Sequence, residues 1–190
     1  MNKETTLAQA LWAGNSLLRN AVLVLSGSAL IAVSAQISVP MYPVPMSLQT
    51  LAVIFVGLMM GSRLGAASVI AYLAEGAAGL PVFSNGGFGV AYLMGPTGGY
   101  LIGFVAMAWA AGALAESRLG RNLLALVPGL IAISAFVYLP GVLWLSYITG
   151  MDVSRAAQVG ALPFLPGDLL KSLIAALVMT GAWAALARKG

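Results

Sequence analysis

The sequence predicts an all-α, polytopic membrane protein with six transmembrane helices and both termini in the cytoplasm. Three observations predict it. The 190 residues are 61% hydrophobic and 7% charged, with a mean hydropathy of +0.97, whereas a soluble domain carries roughly 25% charged residues to cover its surface. The apolar residues gather into runs, and a helix needs about 20 such residues to cross the hydrocarbon layer. Prolines, glycines and short basic turns divide those runs.

The whole chain, 1–190, reads as a single transmembrane domain. Residues 1–19 lack the short apolar core and small-residue cleavage site of a signal peptide. They are expected to form a retained amphipathic lead-in, with Leu7, Leu11 and Trp12 on the membrane surface. The first span runs from about Asn20 to Val39 and ends at Pro40, Pro43 and Pro45, each of which removes a backbone donor and fixes φ. The second, about Ser47 to Met60, and the third, about Leu64 to Gly79, are short. They are either a re-entrant hairpin or two crossings, and two crossings are expected because they keep the basic residues on one side. A glycine-rich connection, Leu80 to Thr97, leads to a fourth span from about Gly98 to Ala115. The fifth runs from about Leu123 to Thr149 and the sixth from about Pro166 to Ala187. No internal repeat of 20 to 50 residues is visible, and the halves show none of the symmetry of inverted-repeat carriers.

Six spans place the termini together, and the charges test this. Lys3, Arg19, Arg63, Arg118, Arg121, Arg188 and Lys189, seven of the nine basic residues, fall on the terminal side. Cytoplasmic loops carry the excess of Lys and Arg, so that side is the cytoplasm and the chain belongs in the cell membrane. The outer connections are then Ser38 to Met46, Leu80 to Thr97 and Gly150 to Leu165. They hold most of the prolines and a dense set of glycines. Irregular backbone at membrane depth is tolerated only where protein or a water-filled cavity satisfies it, which points to an outward-facing pocket capped by loops.

Composition also excludes function classes. The net charge of +4 is scattered between apolar runs and forms no stripe to neutralise nucleic-acid phosphates. With no cysteine and no histidine, thiol nucleophiles, thiolate metal sites and the usual imidazole base are unavailable. No catalytic site, metal or cofactor is expected. GPTGG lacks the lysine of a phosphate-binding loop.

Candidate binding residues follow from polarity inside apolar text. Asp168 and Lys171 stand three apart at the mouth of the last span, on one helix face with Cβ atoms about 5–6 Å apart. A single charge at a helix centre costs roughly 3 kcal/mol on insertion scales. The two are therefore an interfacial ion pair with Lys171 snorkelling outwards, or a ligand clamp in which the ammonium takes a carboxylate. Glu75 is either solvated near the interface, a ligand acceptor or a partner for Lys171. Gln49 can pack between helices or pair with a polar ring such as a urea or imide. Phe83, Asn85, Tyr92, Thr97, Gly98 and Tyr100 bracket the glycine-rich connection, where backbone can approach a ligand closely and the N-terminal N–H groups of a helix are free. Tyr42 is a further aromatic suited to a pocket wall, although aromatics are expected at any membrane interface. In the first span Ser28 and Ala32, four apart, form a small-residue face for internal packing or for a partner.

Four ordered motifs, PVPMSLQTLAV, YLAEGAAGLPVF, GPTGGYLIGF and FLPGDLLK, closely resemble the BioY family over roughly Pro40 to Leu177. Its members are biotin-specific substrate-binding S components of energy-coupling-factor transporters. The resemblance implies six helices, an outward-facing biotin pocket under the loop at 80–97, and docking to a transmembrane T component driven by two ABC-type ATPases. Its PGD-xx-K signature falls on Asp168 and Lys171, its loop motif on Gly95 to Tyr100. Its small-residue docking face on helix one has its nearest match at Ser28 and Ala32. Biotin's carboxylate, urea and apolar ring match a lysine, carboxylates, an amide and aromatic walls. Two other readings remain: a self-sufficient proton-coupled carrier titrating Asp168, Lys171 or Glu75, and an S component for another vitamin.

Overall fold

A computed structural model describes residues 6–12 and 16–188. Lys3 and Lys189, and the lead-in at 1–5 and 13–15, lie outside the described residues. The short helix α1 (Leu7–Leu11) starts at Thr6, whose hydroxyl accepts from the Gln9 amide at 3.3 Å. Helix α2 (Leu17–Gln36) starts at Ser16, which accepts from the Arg19 amide at 3.1 Å. Both are side-chain caps satisfying otherwise free amides. The prolines of VPMYPVP end helical structure and leave a tight hairpin. In it β1 (Ser38–Val39) pairs antiparallel with β2 (Met46–Ser47), Ser38 opposite Ser47.

Helices α3 (Gln49–Met60) and α4 (Ser62–Ala77) meet at Gly61, whose φ of 86° is open to glycine at little cost. A 3₁₀ turn (Ser84–Gly86) and α5 (Gly89–Leu93) follow, then α6 (Gly98–Glu116). After a second 3₁₀ turn (Arg118–Arg121) come α7 (Leu123–Phe136), α8 (Tyr138–Thr149), α9 (Val153–Gly160) and α10 (Leu165–Ala187). Among the long helices α6 is the most buried, packing against α3, α4 and α8.

Among the described residues four helical stretches are long and apolar enough to cross a membrane: Leu17–Gln36, Gly98–Glu116, Leu123–Thr149 and Leu165–Leu186. Helices α3 and α4, with 12 and 16 residues, are shorter than the roughly 20 a full crossing takes. Large apolar side chains such as Leu18, Leu124 and Leu139 remain exposed, as suits helices whose outer faces meet lipid.

Two elements differ from expectation, and a third is refined. The fifth apolar stretch runs helical from Leu123 to Thr149 as expected, but its hydrogen bonding loosens at Val137, where α7 passes into α8 with helical backbone angles. Pro140 has no N–H to return to the Phe136 carbonyl and its ring crowds that turn. The connection at 150–165 contains α9, started by Asp152, whose carboxylate accepts from the Ser154 amide at 2.9 Å. Leu7 is buried in the helix packing, while Leu11 and Trp12 are exposed.

Candidate ligand cavity

The first turn of α10 carries Asp168 and its second carries Lys171, and both side chains turn inward. Each residue is under a tenth exposed, which favours pairing because an isolated charge would be strongly disfavoured there. Lys171 Nζ lies 3.0 Å from Asp168 Oδ1. It also donates to the Ser47 carbonyl and to Thr50 Oγ1, both at 2.8 Å. Thr50 donates in turn to Asp168 Oδ1 at 3.0 Å, and the Tyr138 hydroxyl donates to Asp168 Oδ2. All three ammonium protons are thus engaged. The helix macrodipole adds a favourable field for an anion in the first turn.

Above this network lies a cavity of about 50 Å³, lined among others by Gln49, Tyr92, Thr97, Tyr100, Phe104 and Phe164. That is room for a few water-sized groups. Gln49 is fixed by three neighbours: Oε1 accepts from Ser47 at 2.9 Å and Ser84 at 3.1 Å, and Nε2 donates to the Tyr72 hydroxyl at 2.6 Å. Tyr100 donates to the Gly160 carbonyl at 2.8 Å, so α9 holds one wall in place. Burial pushes the Tyr92 phenol up from its ordinary value, and it remains a neutral donor at the roof.

The roof is the loop at 80–97, anchored from behind. Gln36, at the end of α2, donates to the Val82 and Phe83 carbonyls at 3.4 and 3.1 Å and accepts from the Gly86 amide at 3.0 Å. Trp144 on α8 donates to the Gly95 carbonyl at 2.8 Å.

The structure separates the sequence-predicted residues into two sets. Asp168, Lys171, Gln49, Tyr92, Thr97 and Tyr100 converge on the cavity. Phe83 is fully buried behind it, stacked on Tyr92 with centroids 5.0 Å apart and edge-on to Tyr72 at 5.4 Å. Asn85 faces outward and accepts from Ser38 at 2.9 Å, and Tyr42 is 91% exposed at the hairpin. At Gly98 a Cβ would lie 1.9 Å from the Leu93 carbonyl oxygen, so this glycine serves the close packing of α5 on α6. Glu75 is no partner of Lys171: its carboxylate accepts a hydrogen bond from Ser28. Ser28 is accordingly buried, and only Ala32 of the expected docking pair retains partial exposure.

Sequence reasoning missed Ser47, Thr50, Ser84 and Tyr138. Ser47, which ends β2, and Thr50, in the first turn of α3, flank Gln49 in the MSLQT motif, and this run of polar residues in apolar text was a usable signal. Tyr138 carried none, because its partner Asp168 lies 30 positions away on another helix.

Fold and site together define a multi-pass helical membrane protein with a small, polar-floored cavity at one end of its bundle. The chain belongs to the BioY family, whose model matches residues 2–188. The probable biotin transporter BioY of Pyrococcus horikoshii is 39% identical over 150 residues, covering 79% of this chain and 87% of that protein. The biotin transporter BioY of Thermotoga maritima is 40% identical over 153 residues, covering 80% and 88%. The crystal structure of the S component for biotin from an ECF-type ABC transporter shares the fold with a TM-score of 0.76. It is 26% identical, with 89% of this chain and 93% of that chain covered.

Proposed function

We propose that this protein is a biotin-binding S component that mediates biotin uptake across the cell membrane together with an energy-coupling module. The observation that carries the reading is the buried Asp168–Lys171 pair, set under a loop-roofed cavity with an amide and aromatic walls. Its role is binding and carriage, not catalysis. Family membership supports the ligand, and the relatives named above are biotin transporters.

On this reading Asp168, Lys171, Gln49, Tyr92, Thr97 and Tyr100 contact biotin, with Lys171 toward its carboxylate. A cavity of about 50 Å³ is too small for biotin, so the roof at 80–97 lifts to admit it and its polar groups replace bonds the network now makes to itself. All six apolar segments cross the bilayer, α3 and α4 with little tilt. The termini face the cytoplasm, as the basic residues favour. A transmembrane T component and two ABC-type ATPases supply the energy.

The test is biotin binding by the purified protein, with other vitamins as competitors. Submicromolar binding of biotin alone is expected; tighter binding of another vitamin would reassign the ligand. Co-purification with a T component and ATPases is expected as well. Uptake in cells lacking those partners, abolished by collapse of the proton gradient, would instead establish a self-sufficient carrier.

A further inference from the structure

A second cavity lies at the other end of the bundle, beside the starts of α2 and α4. It encloses about 560 Å³ and is lined among others by Thr6, Arg19, Asn20, Ser62, Arg63 and Glu116. Its charge pattern is that of an anion site. Arg19 lies in the first turn of α2 and Arg63 is the second residue of α4. A helix N-terminus carries free N–H groups and the positive end of the macrodipole, so a cation placed there is repelled. Here two cations occupy two such ends. Against them the described lining sets one carboxylate, Glu116, which accepts from the Ser62 amide and hydroxyl, each 2.9 Å from one of its oxygens, so that lining carries one positive charge in excess.

Arg19 makes the imbalance acute. It is 4% exposed. Its Nη2 donates to the Ala8 carbonyl at 2.9 Å and its Nη1 reaches Asn20 Oδ1 at 3.5 Å, while Nε is buried with no hydrogen-bond partner. Among the described residues Arg19 forms no ion pair. Among the described residues the groups bonded to this buried guanidinium are all neutral, so no direct pairing offsets its charge there. Its planar fork suits two oxygens of one phosphate.

The neighbouring surface indicates which phosphate. Helix α1 walls this cavity with Thr6 and Ala8, and with Leu7 and Leu11 it also walls an apolar groove of about 320 Å³ against Phe55, Met59 and Leu186. We propose that an anionic phospholipid binds here, its phosphate between Arg19 and Arg63 and an acyl chain in the groove. The lipid fastens α1 to the bundle at the end away from the biotin cavity. Inorganic phosphate shares the oxygen chemistry but has nothing to place in the groove.

The test uses the full chain purified in neutral detergent and follows its thermal midpoint against added dioctanoyl-phosphatidylglycerol, dioctanoyl-phosphatidylcholine or inorganic phosphate. A ligand that binds only the folded state raises the midpoint by mass action. Phosphatidylglycerol is expected to act at a concentration about tenfold lower than either other probe, the difference made by one charge-assisted contact. The exposed variant Arg63→Gln is expected to raise that concentration about tenfold while leaving biotin affinity unchanged. Arg19→Lys, which keeps the charge and loses the fork, is expected to weaken the effect too; Arg63→Gln suffices should the buried variant not fold. Equal action of the two lipids, or inorganic phosphate matching phosphatidylglycerol, would overturn the proposal. So would an unaltered response in Arg63→Gln.

Discussion

If Lys171 takes the carboxylate of biotin, esterifying that carboxylate and removing the lysine must not be additive. In the structure the ammonium has no spare proton: its three donors go to the Ser47 carbonyl, Thr50 Oγ1 and Asp168 Oδ1. A ligand carboxylate therefore displaces an existing bond. Every bond the ammonium makes is charge-assisted, worth about 1.5–3 kcal/mol. Exchanging one to a neutral oxygen, at the low end of that range, for one to a carboxylate, at its high end, leaves about 1–1.5 kcal/mol, close to tenfold in Kd. Lys171→Met alone is a poor probe, since breaking a buried pair costs about 3–5 kcal/mol by stranding its partner. The double variant Asp168→Asn, Lys171→Met removes both charges and keeps the volumes close. Calorimetry in detergent is expected to give biotin methyl ester an affinity about tenfold below that of biotin in the natural protein. The two ligands are expected to bind equally in the double variant. The same ester penalty in both proteins would refute the assignment of Lys171 to the carboxylate.

Three further predictions rest on other contacts. Tyr138→Phe keeps the cavity shape and deletes the hydrogen bond to Asp168 Oδ2; unfolding in detergent should show a loss of about 1.5–3 kcal/mol, and an unchanged transition would mean that bond is immaterial. Gln36→Leu removes the three bonds holding the loop at 82–86, so hydrogen exchange at the Gly86 amide and the biotin off-rate should both rise about fivefold, as about 1 kcal/mol of lost tethering gives. At Gly76 an added Cβ would sit 2.0 Å from the Phe83 ring, which Tyr72 and Tyr92 flank. Gly76→Ala should therefore destabilise by about 1–3 kcal/mol through overpacking and shift Tyr92, read as a lower melting midpoint and weaker biotin binding.

Much of the helical frame was legible because breakers are local. Pro40, Pro43 and Pro45 end α2 in the sequence as they do in space, and Gly61 marks the turn between α3 and α4. The ion pair was legible because Asp168 and Lys171 are one turn apart on one helix. Pairings across the fold were not. Ser28 with Glu75 and Tyr138 with Asp168 join residues 47 and 30 positions apart, and nothing in local composition distinguishes them from packing serines and interface tyrosines. One miss was avoidable: Asp152 followed by Val153, Ala156, Ala157 and Gly160 has the cap and spacing of the surface helix α9.

The placement of the ion pair within one helix also bears on how the protein is made. On the proposed topology, with both termini in the cytoplasm, the start of α10 must be carried across the bilayer during insertion, before it has packed against the helices that bring Thr50 and Tyr138. A lone Asp or Lys costs roughly 2.5–3.5 kcal/mol at mid-membrane. Set one turn apart, the two reach each other without help from any other segment and travel as a net-neutral unit. The same two residues split between helices would have to enter separately as bare charges, so keeping them on one helix makes the last step of biogenesis easier.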